Sequence, residues 1–147
     1  YEDGSQKSLE SAAANFELIL KLNPNDMYSI LFLRISNALA GKNDNSGLAD
    51  FVSKHGSAVE WPMPVLKMFS GSMTPEECVA AAAEGDKADS LKFRVCGTYY
   101  FSGMKKLIEG DRKAAVTDFR KAVEFADPQA LEFLLAKKEL ERLSASK

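Results

Sequence analysis

The stretch GDRKAAVTDFRKAVEFADP, residues 110–128, decides how the chain folds. Ala115, Phe119 and Ala122 recur at spacings of four and three, which places their side chains on one face of a helix. Two alanines around one phenylalanine let a neighbouring helix approach closely while the ring fills the gap. The stretch therefore predicts a tightly packed helix pair rather than a catalytic segment. The residues expected to bound the helix are Gly110 and Asp111 before it and Pro128 after it.

The composition favours a helical, globular protein. The 147 residues are enough for one domain with a real core, and 46% hydrophobic with 27% charged residues is ordinary for a globular chain. Only five prolines occur and β-branched runs are absent, which favours helices throughout. A net charge of −2 and a pI near 5.5 argue against a nucleic-acid or anionic-membrane partner. No apolar stretch approaches the roughly 20 residues of a membrane span.

The sequence opens at Tyr1, without a methionine or a signal-peptide pattern. We therefore expect it to be a trimmed piece of a longer chain. Its compartment stays open between the cytoplasm and, if a signal was removed, the bacterial envelope. The two cysteines, Cys78 and Cys96, stand among alanines and aromatic residues in helical stretches, so we expect two buried thiols. A single disulfide is the alternative if the protein is exported.

A repeat relates the two ends of the chain. Ala12 and Ala115 are 103 residues apart, as are Phe16 and Phe119, which is three periods of about 34 residues plus one residue. Turn glycines agree in part, because Gly110 follows Gly41 by two such periods plus one. Gly71 falls unevenly between them, so the middle of the chain is less regular than its ends.

The segments ANFELILKLNPND (14–26) and YYFSGMKKLIEGDRKAAVTDFRKAVEF (99–125) resemble tetratricopeptide (TPR) repeats. The resemblance implies an all-α, TPR-like, right-handed superhelical array of antiparallel helix hairpins with a C-terminal capping helix. Gly103 fits the position where the two helices of the last repeat cross. The sequence departs from the family pattern at Arg34, which replaces the crossing glycine of the second repeat, and nearby at Asn37. We expect that repeat to be splayed or shifted in register.

The expected organisation is a single TPR-like domain over residues 1–147. Its parts are a partial first repeat (1–26), repeat 2 (27–57), a short variant repeat 3 (58–86), repeat 4 (87–127) and a capping helix (128–147). The capping helix has a leucine stripe with charged residues opposite, as the end of a repeat array requires. The leucines of the stripe are Leu131, Leu134, Leu135, Leu140 and Leu143.

A search for catalytic chemistry finds no motif. The single histidine, His55, has no nucleophile motif to serve and is expected at a helix end or exposed. Thr74 and Glu77 in TPEE read as a capping box rather than as part of an acid–base pair. Asp111 and Asp118 are expected on an exposed helical face. We therefore expect no enzymatic activity, no cofactor and no metal.

The TPR resemblance implies a concave groove, lined by the first helix of each pair, that binds a peptide or a helix of a partner protein. The function that the resemblance implies is that of a scaffold or adaptor. The alternative for the groove side chains, above all Leu31, Ile35 and Leu107, is packing against the neighbouring pair. Trp61 is either a second contact point or a buried hinge residue. The groove residues implied are Tyr28, Leu31 and Ile35 in the second repeat, and Tyr100, Met104 and Ile108 (or Leu107) in the last.

Two other functions stay open. The chain is in one alternative the TPR region of a larger enzyme, such as a glycosyltransferase. In the other it is a self-assembly module that forms a homodimer through the leucine stripe of the last helix.

Overall fold

The computed structural model describes residues 3–84, 88–125 and 130–145, and within these ranges the chain is all-helical. Eight helices and no strand occur there, which confirms the all-α prediction. The decisive stretch forms α7, and Pro128 lies outside the described residues. The helices are α1 Asp3–Leu22, α2 Met27–Leu39, α3 Ser46–His55, α4 Met63–Ser70, α5 Pro75–Ala83, α6 Ala88–Ile108, α7 Arg112–Glu124 and α8 Leu131–Ala145.

Local side chains fix where several helices begin. Asp26 accepts a hydrogen bond from the backbone N–H of Ser29 at the start of α2. Thr74 and Glu77 form the predicted capping box at α5, with Pro75 as its first residue. The Asp111 carboxylate caps α7 by accepting a hydrogen bond from the backbone N–H of Ala114, the third residue of the helix. All three helix starts depend on local features. The sequence predicted the capping box at α5 and the start of α7 after Asp111.

The turn glycines end helices as predicted. Gly41, Gly71 and Gly110 follow α2, α4 and α6 and have φ angles of 91°, 85° and 88°. Backbone in this left-handed region suits a residue without a Cβ atom, so Gly41 and Gly110 let the chain reverse sharply into α3 and α7.

The chain divides into two compact units, one ending at Ser70 and one beginning at Gly71. This boundary falls inside the segment predicted as repeat 3 (58–86). The five-part organisation described above stays a prediction.

In the first unit, α2 packs against α1, α3 and α4. Phe16 of α1 stacks on Phe32 of α2 with ring centroids 5.6 Å apart. On α3, Leu48 is buried, while Phe51 is half-buried. The helix that is apolar on nearly every side in the sequence, α2, is thus the one with neighbours on several sides.

In the second unit, α6 is central and packs against α5, α7 and α8. The predicted small–large–small stripe of α7 is confirmed, because Ala115, Phe119 and Ala122 are all fully buried. Gly103 of α6 lies directly against the Phe119 ring, and a Cβ atom added there would be only 2.6 Å from Cε1. The α6–α7 pair therefore crosses closely at Gly103, the position that the resemblance implied for the crossing.

Two further expectations from the sequence can be compared with the structure. Cys78 and Cys96 are buried free thiols, as predicted. In the capping helix α8 the leucines do not share one environment, since Leu143 is buried whereas Leu131 and Leu134 are half exposed or more.

None of the described helices has both the length and the apolar character to cross a membrane.

Candidate functional site

The three groove residues predicted on α2 share one face of the helix but differ in exposure. Leu31 and Ile35 are buried, and Tyr28 is half-buried. The Trp61 indole N–H donates a hydrogen bond of 3.1 Å to the Tyr28 hydroxyl. Trp61, which precedes α4, is itself half-buried, so this aromatic pair stays within reach of solvent.

The three groove residues predicted on α6 also follow one face, at spacings of four. Tyr100 and Met104 are buried, and Ile108 is half-buried. The Tyr100 ring lies edge-on against Phe101 and 6.1 Å from Phe119, so it belongs to the packing of α6 on α7. Of the six predicted residues, Tyr28 and Ile108 keep part of their surface open to a partner. A binding role for any of the six stays a prediction.

The first unit contains a cleft that the sequence did not assign. It has a volume of about 600 Å³ and lies between the end of α1, one face of α2, and α3. Ile30, Leu33, Arg34 and Asn37 face it from α2, and this face differs from that of Tyr28, Leu31 and Ile35. The apolar part of its lining is Leu20, Ile30, Leu33, Leu48 and Phe51.

Arg34 is the central polar residue of this cleft. Its Nε donates to Asn45 Oδ1 at 2.8 Å, and its Nη2 donates to Asn43 Oδ1 at 2.6 Å. The Asn45 amide in turn donates to the backbone carbonyl of Phe69 at 3.2 Å, which anchors it to α4. The third nitrogen, Nη1, is buried and has no hydrogen-bond partner among the described residues. Two neutral amide oxygens thus orient the guanidinium without neutralising it.

The surrounding charges compensate Arg34 only at a distance. Burial lowers the pKa of the guanidinium, and the negative charge of Asp44 opposes that shift. The Asp44 carboxylate accepts a hydrogen bond from the backbone N–H of Ser46, and it forms no salt bridge with Arg34. Lys54 pairs with Asp50 at 2.9 Å on the exposed rim. The cleft is lined by three cations, with Lys42 the third beside Arg34 and Lys54, and by the two anions Asp44 and Asp50. Its formal charge is therefore +1 with His55 neutral.

His55 lies at the last position of α3, exposed, as the sequence predicted. Its ring is 4.5 Å from that of Phe51, and both residues line the cleft. The pair extends the apolar wall to the rim of the cleft.

In the second unit, the prediction that Asp118 faces solvent is wrong. Asp118 is 4% exposed, and its Oδ2 accepts hydrogen bonds from Ser102 Oγ and from Lys106 Nζ, both at 2.6 Å. The residue follows Ala115 by three positions and precedes Ala122 by four, so the spacing of the buried stripe carried a signal for its burial. A cleft of about 250 Å³ adjoins the cluster and is lined from α5 by Pro75 and Val79. Because Lys106 of α6 supplies the opposite charge to Asp118 of α7, the cluster ties the two helices together.

Glu132 is a second buried acid that the sequence did not reveal. It is 3% exposed in the first turn of α8, and its Oε2 has no hydrogen-bond partner in the described part of the chain. Burial raises the pKa of its carboxyl group. No cleft described above includes Glu132, so it is a source of pH-dependent stability rather than part of a site.

Apolar side chains also remain in solvent. Leu18 and Leu22 of α1 are 59% and 85% exposed, and they are one helical turn apart. Leu131 and Leu134 of α8 are exposed in a similar way. These two short strips are the exposed apolar helix surfaces that a partner or a second copy could cover.

The described residues do not assemble a metal centre, since no three His, Cys, Asp or Glu side chains gather in those ranges. Two surfaces described above have features suited to binding. The α2–α3 cleft combines apolar walls with an oriented cation, and the Tyr28–Trp61 pair offers two aromatic rings with polar edges.

Comparisons with known proteins add no identification. No protein-family model, no curated protein and no solved structure matches this chain.

Proposed function

We propose that the chain is a TPR-like array of helix hairpins that binds a peptide or a helix of a partner protein, without enzymatic activity. Consecutive helices pack as pairs, most closely where Gly103 meets Phe119. Alternate helices also touch within each unit, α2 with α4 and α6 with α8. Contact between alternate helices is expected when hairpins stack in register, and it is the observation that carries the proposal.

In this proposal each unit binds through the face of the first helix of a pair, α2 in the first unit and α6 in the second. Tyr28 on α2 and Ile108 on α6 are the predicted groove residues whose side chains are partly open to solvent. Tyrosine and tryptophan bury much area at low entropic cost and are enriched among residues that dominate binding energy. The hydrogen bond from Trp61 holds the Tyr28 ring in one orientation before a partner arrives, which reduces the cost of ordering it.

A displayed library of random peptides, selected against the purified chain, tests this function. We expect Tyr28→Ala and Ile108→Ala each to weaken the selected peptides about tenfold, since each removes roughly 1.4 kcal/mol of contact. Phe125→Ala is the matched control, because Phe125 is 45% exposed at the end of α7 and lies outside the proposed surface. Selected peptides that bind both groove variants as tightly as the parent would contradict the proposal.

Tyr100 is not suitable for this test. Its side chain is buried, and truncation to alanine would remove core contacts and cost about 3–5 kcal/mol of stability. Any loss of binding would then report unfolding rather than a lost contact.

A second candidate, self-assembly through α8, is favoured by one observation: Leu131 and Leu134 are 55% and 50% exposed. Light scattering over a concentration series measures it. In this case the parent dimerises with rising concentration, and Leu134→Glu stays monomeric because a charge in an apolar interface is costly. A parent that is monomeric at every concentration removes this candidate.

A further inference from the structure

We propose that the cleft between α2 and α3 is a binding site for a small carboxylic acid with an apolar stem, and that Arg34 receives the carboxylate. This site lies on a different face of α2 from the peptide-binding surface proposed above. The proposed site therefore goes beyond the proposed function and is tested independently of it.

The first argument is the state of the guanidinium. A partly buried arginine ordinarily pairs with a carboxylate, because leaving a buried charge without an opposite charge is costly. Arg34 instead donates to the neutral side-chain oxygens of Asn43 and Asn45, and Nη1 has no partner among the described residues. The charge is thus held in place without a paired carboxylate, and because Nη1 is buried, the part of the guanidinium that a ligand can reach is Nη2, which has a second N–H.

The second argument is the charge of the cleft as a whole. The formal charges of its lining residues sum to +1, since Asp44 and Asp50 offset two of the three cations. A singly charged carboxylate would neutralise the cleft, whereas a doubly charged phosphate would leave it negative.

The third argument is the shape and lining. A volume of about 600 Å³ lies within the range of small-molecule pockets. Leu33 and Leu48 form apolar walls beside the guanidinium, and Phe51 extends them towards the rim. A short aliphatic chain would cover these walls while its carboxylate lies at Arg34.

Hexanoate is the probe, and its neutral isostere hexanamide is the matched ligand control. Amide signals of the isotope-labelled protein are followed by NMR during the titration. We expect saturable shifts at Asn37, Gly47 and Leu48 with hexanoate, and binding at least about tenfold weaker with hexanamide, because the charge-assisted hydrogen bonds are lost. Equal shifts with both ligands, or none with hexanoate, would overturn the proposal.

Two variants test the role of the protein. Arg34→Gln removes the charge and should weaken hexanoate about tenfold or more, while Arg120→Gln, at an exposed position on α7, should not change binding. Gly47→Leu covers the case in which Arg34→Gln does not fold. A Cβ atom at Gly47 meets nothing within 4 Å, so the leucine side chain can extend into the cleft and exclude the ligand. Hexanoate that binds Gly47→Leu as tightly as the parent would place the ligand elsewhere.

A last arm separates a free acid from a peptide. The capped tripeptide Leu-Glu-Phe presents a carboxylate between apolar residues, and Leu-Gln-Phe is its neutral counterpart. We expect hexanoate to bind in the presence and in the absence of either competing peptide. If only the acidic peptide causes saturable shifts in the cleft, the assignment to a small carboxylic acid is wrong.

Discussion

Replacing Gly103 with alanine tests the close crossing of α6 and α7 on which the hairpin reading depends. The added Cβ atom would lie 2.6, 2.7 and 3.0 Å from three carbon atoms of the Phe119 ring. Ordinary contacts between carbon atoms are about 3.5–4.0 Å, so the overlap is about 1 Å. The ring is fully buried between Ala115 and Ala122 and cannot move into solvent.

The magnitude follows from two opposing effects. Overpacking of this kind costs about 1–3 kcal/mol, and alanine in a helix gains back about 1 kcal/mol relative to glycine. Gly47→Ala is the matched control, because it carries the gain in helix propensity but meets open space. We therefore expect Gly103→Ala to be less stable than Gly47→Ala by about 1–3 kcal/mol.

Chemical denaturation followed by circular dichroism measures the difference, and hydrogen exchange in α6 and α7 localises it. A double variant adds a test within one unit: in a Phe119→Leu background the steric conflict is relieved, so Gly103→Ala should become neutral or stabilising. If Gly103→Ala stabilises the parent as much as Gly47→Ala does, the helices do not cross at Gly103 and the hairpin reading loses its main physical support.

Three further predictions concern buried polar groups. Glu132→Gln should stabilise the protein by about 1–3 kcal/mol at neutral pH, because it removes the charge of a buried carboxylate whose Oε2 has no hydrogen-bond partner among the described residues. Since burial raises the folded-state pKa of Glu132, the parent should lose stability as pH rises from the pKa of the unfolded state through that of the folded state. Thermal melts at several pH values should show that Glu132→Gln abolishes this loss. Parallel pH profiles for the parent and the variant would contradict the prediction. Lys106→Gln should destabilise by about 1–3 kcal/mol in urea, because it leaves the Asp118 charge buried with one remaining partner; unchanged stability would show that Lys106 does not neutralise it. Both thiols are buried, and burial raises the pKa of Cys78 to about 11, so a thiol reagent should modify neither cysteine in the native protein and both after denaturation; rapid native labelling would exclude their burial.

Local patterns in the sequence were sufficient wherever the cause of a structure lies within a few residues. The stripe of Ala115, Phe119 and Ala122 is buried as its spacing indicated, and the capping box at Thr74 forms as written. Helix periodicity and capping depend on neighbours three or four positions away, so one sequence contains what is needed to predict them.

The candidate sites were predicted less completely. The sequence singled out Arg34 as a departure from the repeat pattern, but not the asparagines that hold it or the cleft that it faces. Asn43 and Asn45 precede α3, nine and eleven residues after Arg34, and they reach the guanidinium only once the chain has turned at Gly41. No periodicity links a helix residue to the loop that follows it at that distance.

What the sequence by itself determined is the helical class, several helix ends and the periodic stripe of α7, because periodicity and capping act within single helices. Only the tertiary structure supplied the partners of the buried polar groups. Asp118 was expected in solvent because an aspartate is usually exposed, and it is buried because Lys106, twelve residues earlier on α6, supplies the opposite charge at 2.6 Å. The leucines of α8 show the same dependence, since their shared spacing does not reveal which of them a neighbouring helix covers. Burial of a side chain is set by the helix packed against it, and that partner is chosen by the whole fold.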